Sequence, residues 1–475
     1  MRALHLAAEA APWVKTGGLA DVIGALPAAQ RDAGADARLL VPGYPAIVRA
    51  LADATPVAGP FVAPVGQAPC RLLRGTYGDV PVYVLDCPWL YRRDGNPYID
   101  ASGAPWHDSH LRFGLLGWAG AQLAAGALDP HWTPDLLHAH DWHAALACWL
   151  LERRPGPRPA TAFSVHNIGY QGLFPAWTLE DLPLSRRDWH PGGLEFHGEL
   201  SFMKAGLVSS DGIGTVSPTH AREIVDPSTG HGLHGVLRSR GDAPVGILNG
   251  IDTRAWDPAR DPALVSAFDA SDLDRRLPNR RALRAEMGLD ADGARMLLGM
   301  VSRITSQKGS DLLISVIPHL VEAGCDLVVL GSGEQALEAQ LRQVAARHPA
   351  HVAVHIGFDE ALSHRFFAGL DALVVPSRYE PCGLTQLYAM RYGALPIVHR
   401  TGGLADSVDP EVGFLFERPD APAFGAAIDA ARTVFAQPQR WREMMLAAMR
   451  RDHGWQRAAS GYLDWYRQLM ACAPR

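Results

Sequence analysis

The sequence predicts an α/β protein of two Rossmann-like domains facing each other across a cleft, and three observations carry that expectation. The chain has 475 residues and 48% apolar content, too long for one ordinary hydrophobic core and apolar enough for two. In both halves short apolar runs alternate with helical patterns, as in parallel sheets covered on both faces. A Gly- and His-rich stretch at 230–241, followed by an acidic, turn-rich one at 252–274, separates the halves.

In the first half, residues 3–7, 37–41, 82–85, 136–138 and 162–165 read as strands. In the second half the candidates are 245–248, 296–301, 327–330, 352–356, 372–375 and 395–398, with amphipathic helical segments such as 311–322 and 337–347 between them. From Trp455 onward the pattern is helical and aromatic-rich, suited to crossing back onto the first domain. The expected domains are 1–245 and 246–455, with a helix over 456–475 packing on the first. The most apolar helical stretch, 113–128, is interrupted by Gln122 and several glycines and is too short to span a bilayer comfortably, so it reads as a buried helix. The first residues carry Glu9 and lack the apolar core and cleavage site of a signal peptide; they read as a strand, and the cytoplasm is the expected compartment.

The balance of 44 basic and 50 acidic residues gives no reason to expect nucleic-acid or membrane binding through bulk charge, so any anion must be held locally. Six cysteines at 70, 87, 148, 325, 382 and 472 have no paired spacing, which indicates neither a disulfide framework nor a zinc knuckle. Only three lysines, Lys15, Lys204 and Lys308, stand among the 44 basic residues. In a chain that otherwise uses arginine, those three mark positions where a compact ammonium is wanted and a guanidinium fork does not serve.

Two segments echo each other: KTGGLADV at 15–22 and RTGGLADS at 400–407. Each follows a predicted strand and opens a helix. Glycines there let backbone N–H groups turn toward an anion, and the helix N-terminus adds partial positive charge. One copy alone reads as a tight turn; two basic-flanked copies, one per domain, point to a diphosphate shared across a cleft. In 302–309, SRITSQKG, Arg303 and Lys308 fall on a loop at the carboxyl edge of a predicted parallel sheet, where such sheets bind ligands, and both can complement phosphate. Glu380 lies between a buried strand and a helix start, as a sugar-binding or charge-stabilising carboxylate or simply a cap. The N–H groups of Gly383, Leu384 and Thr385 beside it can meet a phosphate.

In the first half, His138, His140, Asp141, His143, His166 and Asn167 also follow predicted strands. Three histidines suggest zinc, but no Cys or second histidine pair completes a ligand set, so sugar binding by Asp141 and His166 is the more economical reading. Two other patterns read as decoys. GSGEQA at 331–336 matches a dinucleotide fingerprint, yet the acid expected at the end of the next strand is absent; Phe358 stands there, as an adenine-stacking or a core aromatic. The acidic triplets at 272–274 and 290–292 read as solvated surface rather than a metal site.

These motifs, with SVHNIGYQG at 164–172, GLEFHGELSFMKAGL at 193–207, TVSPTHAREI at 215–224, ILNGID at 247–252 and PSRYEPCGLTQLYAMRYG at 376–393, resemble those of bacterial glycogen synthases and plant starch synthases over essentially the whole chain. The resemblance implies a GT-B arrangement and metal-independent transfer of glucose from ADP-glucose to the non-reducing end of an α-1,4-glucan, with retention of configuration and no cofactor. It implies an acceptor side on the first domain and donor binding on the second. By that analogy Lys15, Arg303 and Lys308 hold the donor diphosphate, Glu380 and His166 hold the glucose, and Asp141 sits beside the reacting centre. Gly17, Gly18, Asn249, Gly383, Leu384 and Thr385 line the donor, while Tyr98, Asp21 and Asn167 line the sugar and acceptor side. Phe358 faces adenine where the family often has tyrosine, keeping the stacking and losing a hydroxyl. Related transferases that use UDP- or GDP-sugars often carry a second glutamate eight positions after Glu380; here that residue is Tyr388. A nicotinamide oxidoreductase lacks its ribose-binding acid, a pyridoxal-dependent phosphorylase has only Lys204 to use, and a glucan-binding module needs no basic clamp. Donor base, acceptor length and oligomeric state are not fixed by sequence.

Overall fold

The computed structural model describes residues 1–472. The chain forms two compact units, Met1–Gly250 joined by the segment from Trp455, and Ile251–Gly454. The expected boundary at 245 compares with a division after Gly250. The expected helix over 456–475 runs as Trp455–Cys472, with 473–475 outside the described residues.

The first unit is built on a nine-stranded sheet. Its order is Thr55–Val62, Pro69–Tyr77, Val80–Asp86, Asp36–Pro42, Arg2–Leu6, Leu136–His140, Ala160–Val165, Gly212–Thr215, Val245–Gly246. All neighbours pair in parallel except at Pro69–Tyr77, which is antiparallel to both of its partners. The central strands are buried along their whole length, as two-sided coverage requires. Two strands escaped the sequence pattern: the edge strand Thr55–Val62 carries Pro56 and Pro60, tolerated only at an edge, and its neighbour Pro69–Tyr77 alternates buried with exposed. A further missed strand of this sheet, Gly212–Thr215, contains glycines because the helix Trp455–Cys472 presses on it. A Cβ would lie 2.5 Å from Leu469 Cδ2 at Gly212 and 2.6 Å from Trp465 Cη2 at Gly214. The strand expected at 245–248 shortens to Val245–Gly246, since Gly246 lies against the Ser217–Pro218 backbone. The apolar stretch at 113–128 is the buried helix Ser109–Ala124, and no helix among the described residues is long and apolar enough to cross a membrane.

The second unit is a six-stranded, wholly parallel sheet in the order Val352–Ile356, Cys325–Gly331, Met296–Val301, Ala372–Val375, Leu395–His399, Phe414–Phe416. Its strands are apolar and its helices bury Leu313, Ile317, Leu341, Phe366 and Ile428 against them.

In both sheets the strand order reverses once in the middle. In the first unit the reversal falls between Arg2–Leu6 and Leu136–His140, and in the second between Met296–Val301 and Ala372–Val375. The loops leaving such neighbouring strands splay apart, opening a crevice at their carboxyl ends. The motif loops at 7–18, 141–145, 302–309 and 376–384 leave these four strands.

Candidate functional site

In the first unit the loop after Arg2–Leu6 is organised by Glu9, a residue sequence reasoning used only as evidence against a signal peptide. Glu9 is 3% exposed. Its carboxylate accepts hydrogen bonds from the Thr16 backbone N–H and hydroxyl, each at 2.6 Å, and from the Tyr98 hydroxyl. Burial pushes its pKa up against these donors. Glu9 thus ties Tyr98, 89 positions away, to the turn that starts the helix Gly18–Asp32. On that turn Lys15 Nζ pairs with Asp21 at 2.7 Å and stays 37% exposed, and no atom would crowd a Cβ at Gly17. This first TGG turn is open.

The neighbouring strand, Leu136–His140, delivers Asp141 in a left-handed conformation (φ 59°), which aspartate tolerates better than most residues. Its carboxylate accepts from the backbone N–H groups of His166 (2.9 Å) and Asn167 (3.3 Å), so both loops are fixed to one another. Asp141 is 6% exposed; burial, reinforced by Glu9 and opposed by the two N–H donors, raises its pKa to about 7. His166 is driven the other way, to about 3, by burial. Asn167 uses its side-chain oxygen to accept from Gly169 N–H, closing the turn. Beyond it lies an open groove of about 650 Å³ lined by Trp142, Tyr170, Gln171, Leu173, Phe196 and His231, with Tyr170 half exposed. Asn249 is buried, and its side-chain oxygen has no hydrogen-bond partner among the described residues.

In the second unit, Lys308 and Glu380 leave adjacent strands at the reversal and meet: Nζ lies 2.5 Å from Oε2, and Ser377 donates to the same oxygen at 3.0 Å. Glu380 is therefore held by a charge and a hydroxyl, which goes beyond capping. Arg303 is exposed and its guanidinium pairs with no acid among the described residues. Phe358 is 82% exposed, so it is not a core aromatic. Gly383 takes φ 71° just before the helix Thr385–Arg391, turning the backbone of Gly383, Leu384 and Thr385 at its start.

The second TGG segment differs from the first, against the expectation of two equivalent phosphate turns. Gly402 and Gly403 are buried, and a Cβ there would meet Glu380 O at 1.9 Å and Cys382 O at 2.1 Å. The Gly403 N–H is taken by the carbonyls of Glu380 and Pro381. These glycines buttress the Glu380 loop. Similarly, Gly331 and Gly333 of the fingerprint-like segment are small because the 302–304 loop zips against them: a Cβ would meet Ser302 O at 1.9 Å and Ile304 O at 2.2 Å. No dinucleotide is needed to explain them. Tyr388 stacks on Trp256 at 3.9 Å in the core, which accounts for an aromatic rather than a carboxylate there. Asp274 and Asp292 are 86% and 75% exposed in surface ion pairs.

Among the described residues one cluster, His5, His138 and His140, has the spacing of a metal site. All six of its ring nitrogens are already hydrogen-bonded, so a metal would have to dismantle that network to gain ligands. The six cysteines are free, five of them buried.

The remaining lysine, Lys204, is structural. Its buried ammonium donates to the carbonyls of Pro191 and Glu195, each at 2.5 Å. Lys204→Met leaves those carbonyls without their charged donor and should cost about 3 kcal/mol, the scale of charge-assisted bonds. Scanning calorimetry should show the lower Tm, while kcat per folded molecule stays at the wild-type value.

Residues 2–239 match the starch synthase catalytic domain family, and residues 286–443 match glycosyl transferases group 1. The glycogen synthase of Serratia proteamaculans is 46% identical over 99% of this chain and 100% of its own length, and that of Edwardsiella ictaluri is 45% identical over the same shares. Among solved structures, the catalytic domain of starch synthase IV from Arabidopsis thaliana, bound to ADP and acarbose, matches with a TM-score of 0.89 and 30% identity over 99% of each chain. Sucrose-phosphate synthase from Thermosynechococcus elongatus, at 16% identity and TM-score 0.59, shares the fold alone. Likeness along the full length of curated relatives, in both units, makes this chain a member of the glycogen and starch synthase family of glycosyltransferases.

Proposed function

We propose that the chain transfers glucose from ADP-glucose to the non-reducing end of an α-1,4-glucan with retention of configuration. The observation that carries this reading is the Lys308–Glu380 contact at the strand reversal of the second unit, with Arg303 exposed on the same loop as Lys308. In transfer, the bond between the anomeric carbon and the diphosphate oxygen breaks as the bond to the glucan hydroxyl forms, and the hydroxyl proton leaves with the departing phosphate. Negative charge grows on the diphosphate; Lys308, Arg303 and Lys15 are the residues we assign to neutralise it, with the N–H groups of Gly17, Gly18, Gly383, Leu384 and Thr385. Positive charge grows at the anomeric carbon, where Asp141 and Glu380 supply carboxylates. His166 and Asn249 contact the donor, and Phe358 stacks on adenine. The groove past Asn167, with the Trp142 and Tyr170 rings, supports an acceptor side in the first unit, together with Tyr98 and Asp21. Lys15, Asp141 and His166 belong to the first unit, and Arg303, Lys308 and Glu380 to the second. No cofactor enters this scheme, and three basic side chains stand in for a metal.

A donor panel tests it: with glycogen as acceptor, ADP-glucose should exceed UDP- and GDP-glucose in kcat/KM, and equal use of all three overturns the donor assignment. Phe358→Ala should raise the KM for ADP-glucose about tenfold with little change in kcat, the worth of one base–aromatic stack. EDTA should leave the rate intact; loss restored only by Mg²⁺ or Mn²⁺ would contradict a metal-independent clamp.

A further inference from the structure

Behind His166 runs an unbroken chain of buried hydrogen bonds that the proposed chemistry does not use. His166 Nε2 lies 3.0 Å from His140 Nδ1, and His140 Nε2 lies 3.0 Å from His5 Nδ1. His5 Nε2 meets Gln30 Oε1 at 2.7 Å, and Gln30 Nε2 donates to the Tyr466 hydroxyl at 3.2 Å. Tyr466 reaches His138 Nδ1 at 2.5 Å, and His138 Nε2 reaches Ser164 Oγ at 2.7 Å. His5, His138, His140 and Gln30 are 0% exposed, as is Tyr466 on the helix Trp455–Cys472.

A neutral imidazole between two partners must donate at one nitrogen and accept at the other, so the direction of one bond sets its neighbours. Burial keeps the rings neutral, holding His5 near 4 and His166 near 3, with His138 and His140 well below the usual value. Gln30 has one oxygen and one amide nitrogen, and the nitrogen is committed to Tyr466. Its oxygen can only accept, so His5 carries its proton on Nε2 and accepts at Nδ1 from His140 Nε2–H. His140 in turn accepts at Nδ1 from His166 Nε2–H. On the other branch, the Tyr466 hydroxyl, having accepted from Gln30, donates to His138. Every bond then holds one proton and no ring is left with two.

We propose that Gln30 and Tyr466 are positioning residues that fix the tautomer of His166 through this relay of imidazoles, leaving His166 Nδ1 as a bare acceptor for a hydroxyl of the transferred sugar. The inference rests on the reading of His166 as a donor contact. Turning the Gln30 amide over would reverse every ring and make His166 a donor, so a glutamine and a tyrosine hydroxyl decide which polarity the site presents. This also gives the histidine cluster a role other than metal binding.

Histidine-selective ¹⁵N labelling of the whole protein reads the tautomers directly, with resonances assigned by single His→Gln variants. His5, His138, His140 and His166 should all show protonated Nε2 and bare Nδ1; Nδ1–H at His166 overturns the proposal whatever the enzyme's activity. Tyr466→Phe removes only the hydroxyl and frees the Gln30 amide. Its His166 signal should become a mixture of tautomers, with kcat down about tenfold, one ordinary hydrogen bond's worth, at unchanged KM for glucan. Gln30→Glu, buried as the neutral acid, accepts from His5 and donates to Tyr466, and should keep the wild-type spectrum and rate where Gln30→Met loses them. A wild-type His166 signal in Tyr466→Phe sinks the relay. If these variants fail to fold, the wild-type spectrum still decides the polarity. Absence of glucosyl transfer by the wild type, with the expected tautomers present, would instead sink the functional reading and leave the relay standing.

Discussion

Lys308→Arg keeps the positive charge and should nevertheless lower kcat/KM for the donor by about 100- to 1000-fold, the scale of one lost transition-state donor. The reason is room. Lys308 Nζ sits 2.5 Å from Glu380, on an oxygen that Ser377 also uses, and the side chains of the pair are 18% and 9% exposed. A guanidinium is longer, planar and wider than an ammonium; to fit it must leave the Glu380 oxygen or push the carboxylate aside. Either way a mostly buried carboxylate loses its point charge, so the Tm should fall as well. Lys15→Arg makes a graded comparison: Lys15 is 37% exposed beside Asp21, so its replacement should be the milder of the two. Steady-state kinetics of both variants decide the matter, and wild-type turnover in Lys308→Arg would remove the argument from lysine scarcity.

Asp141→Asn should lower kcat by about 10²- to 10⁴-fold and abolish the acid limb of its pH profile. With its carboxyl raised by burial to about 7, Asp141 is mostly neutral at pH 6 and ionised at pH 8. In the proposed scheme the ionised form stabilises positive charge at the anomeric carbon, so wild-type kcat should rise with pH through about 7. Stability runs the opposite way. A carboxyl whose folded pKa lies above its ordinary value of 3.8 contributes fully below that value, and the contribution is lost as pH rises through about 7. Melting temperatures of the wild type should therefore decline over that window more steeply than those of Asp141→Asn. Parallel curves for the two proteins would show that Asp141 does not titrate there.

The sequence made the loops legible better than the contacts between them. Apolar runs located the central strands, and a loop that follows a parallel strand has only one end of the sheet to occupy, so the strand pattern alone assigns Arg303, Lys308, Glu380, Asp141 and His166 to carboxyl edges. Pairing was not readable, because Lys308 and Glu380 are 72 residues apart and meet only through the strand order. Glu9 left no signal, standing in an alanine-rich run with no motif around it; its importance comes from burial and from Tyr98. Glycine misled in both directions. The Gly402–Gly403 and Gly331–Gly333 pairs looked like ligand turns but are small where one loop crosses another, while the glycines that hid the strand Gly212–Thr215 make way for Trp465 and Leu469.

That crossing helix also sets an order of events during synthesis. Residues 251–454 form a unit continuous in sequence, and they are synthesised before Trp455–Cys472 exists. Until then the earlier-made sheet has no cover for Ala3, Val22, Leu26, Leu136 and Ala160, the residues that Trp455, Tyr462, Leu463 and Tyr466 later bury. At roughly 5 to 20 residues per second, that apolar face stays bare for roughly 10 to 40 s. The later-made unit is synthesised within that interval, whereas the one begun first is completed only by a segment made after it, and its nascent apolar face is the surface a chaperone has time to hold.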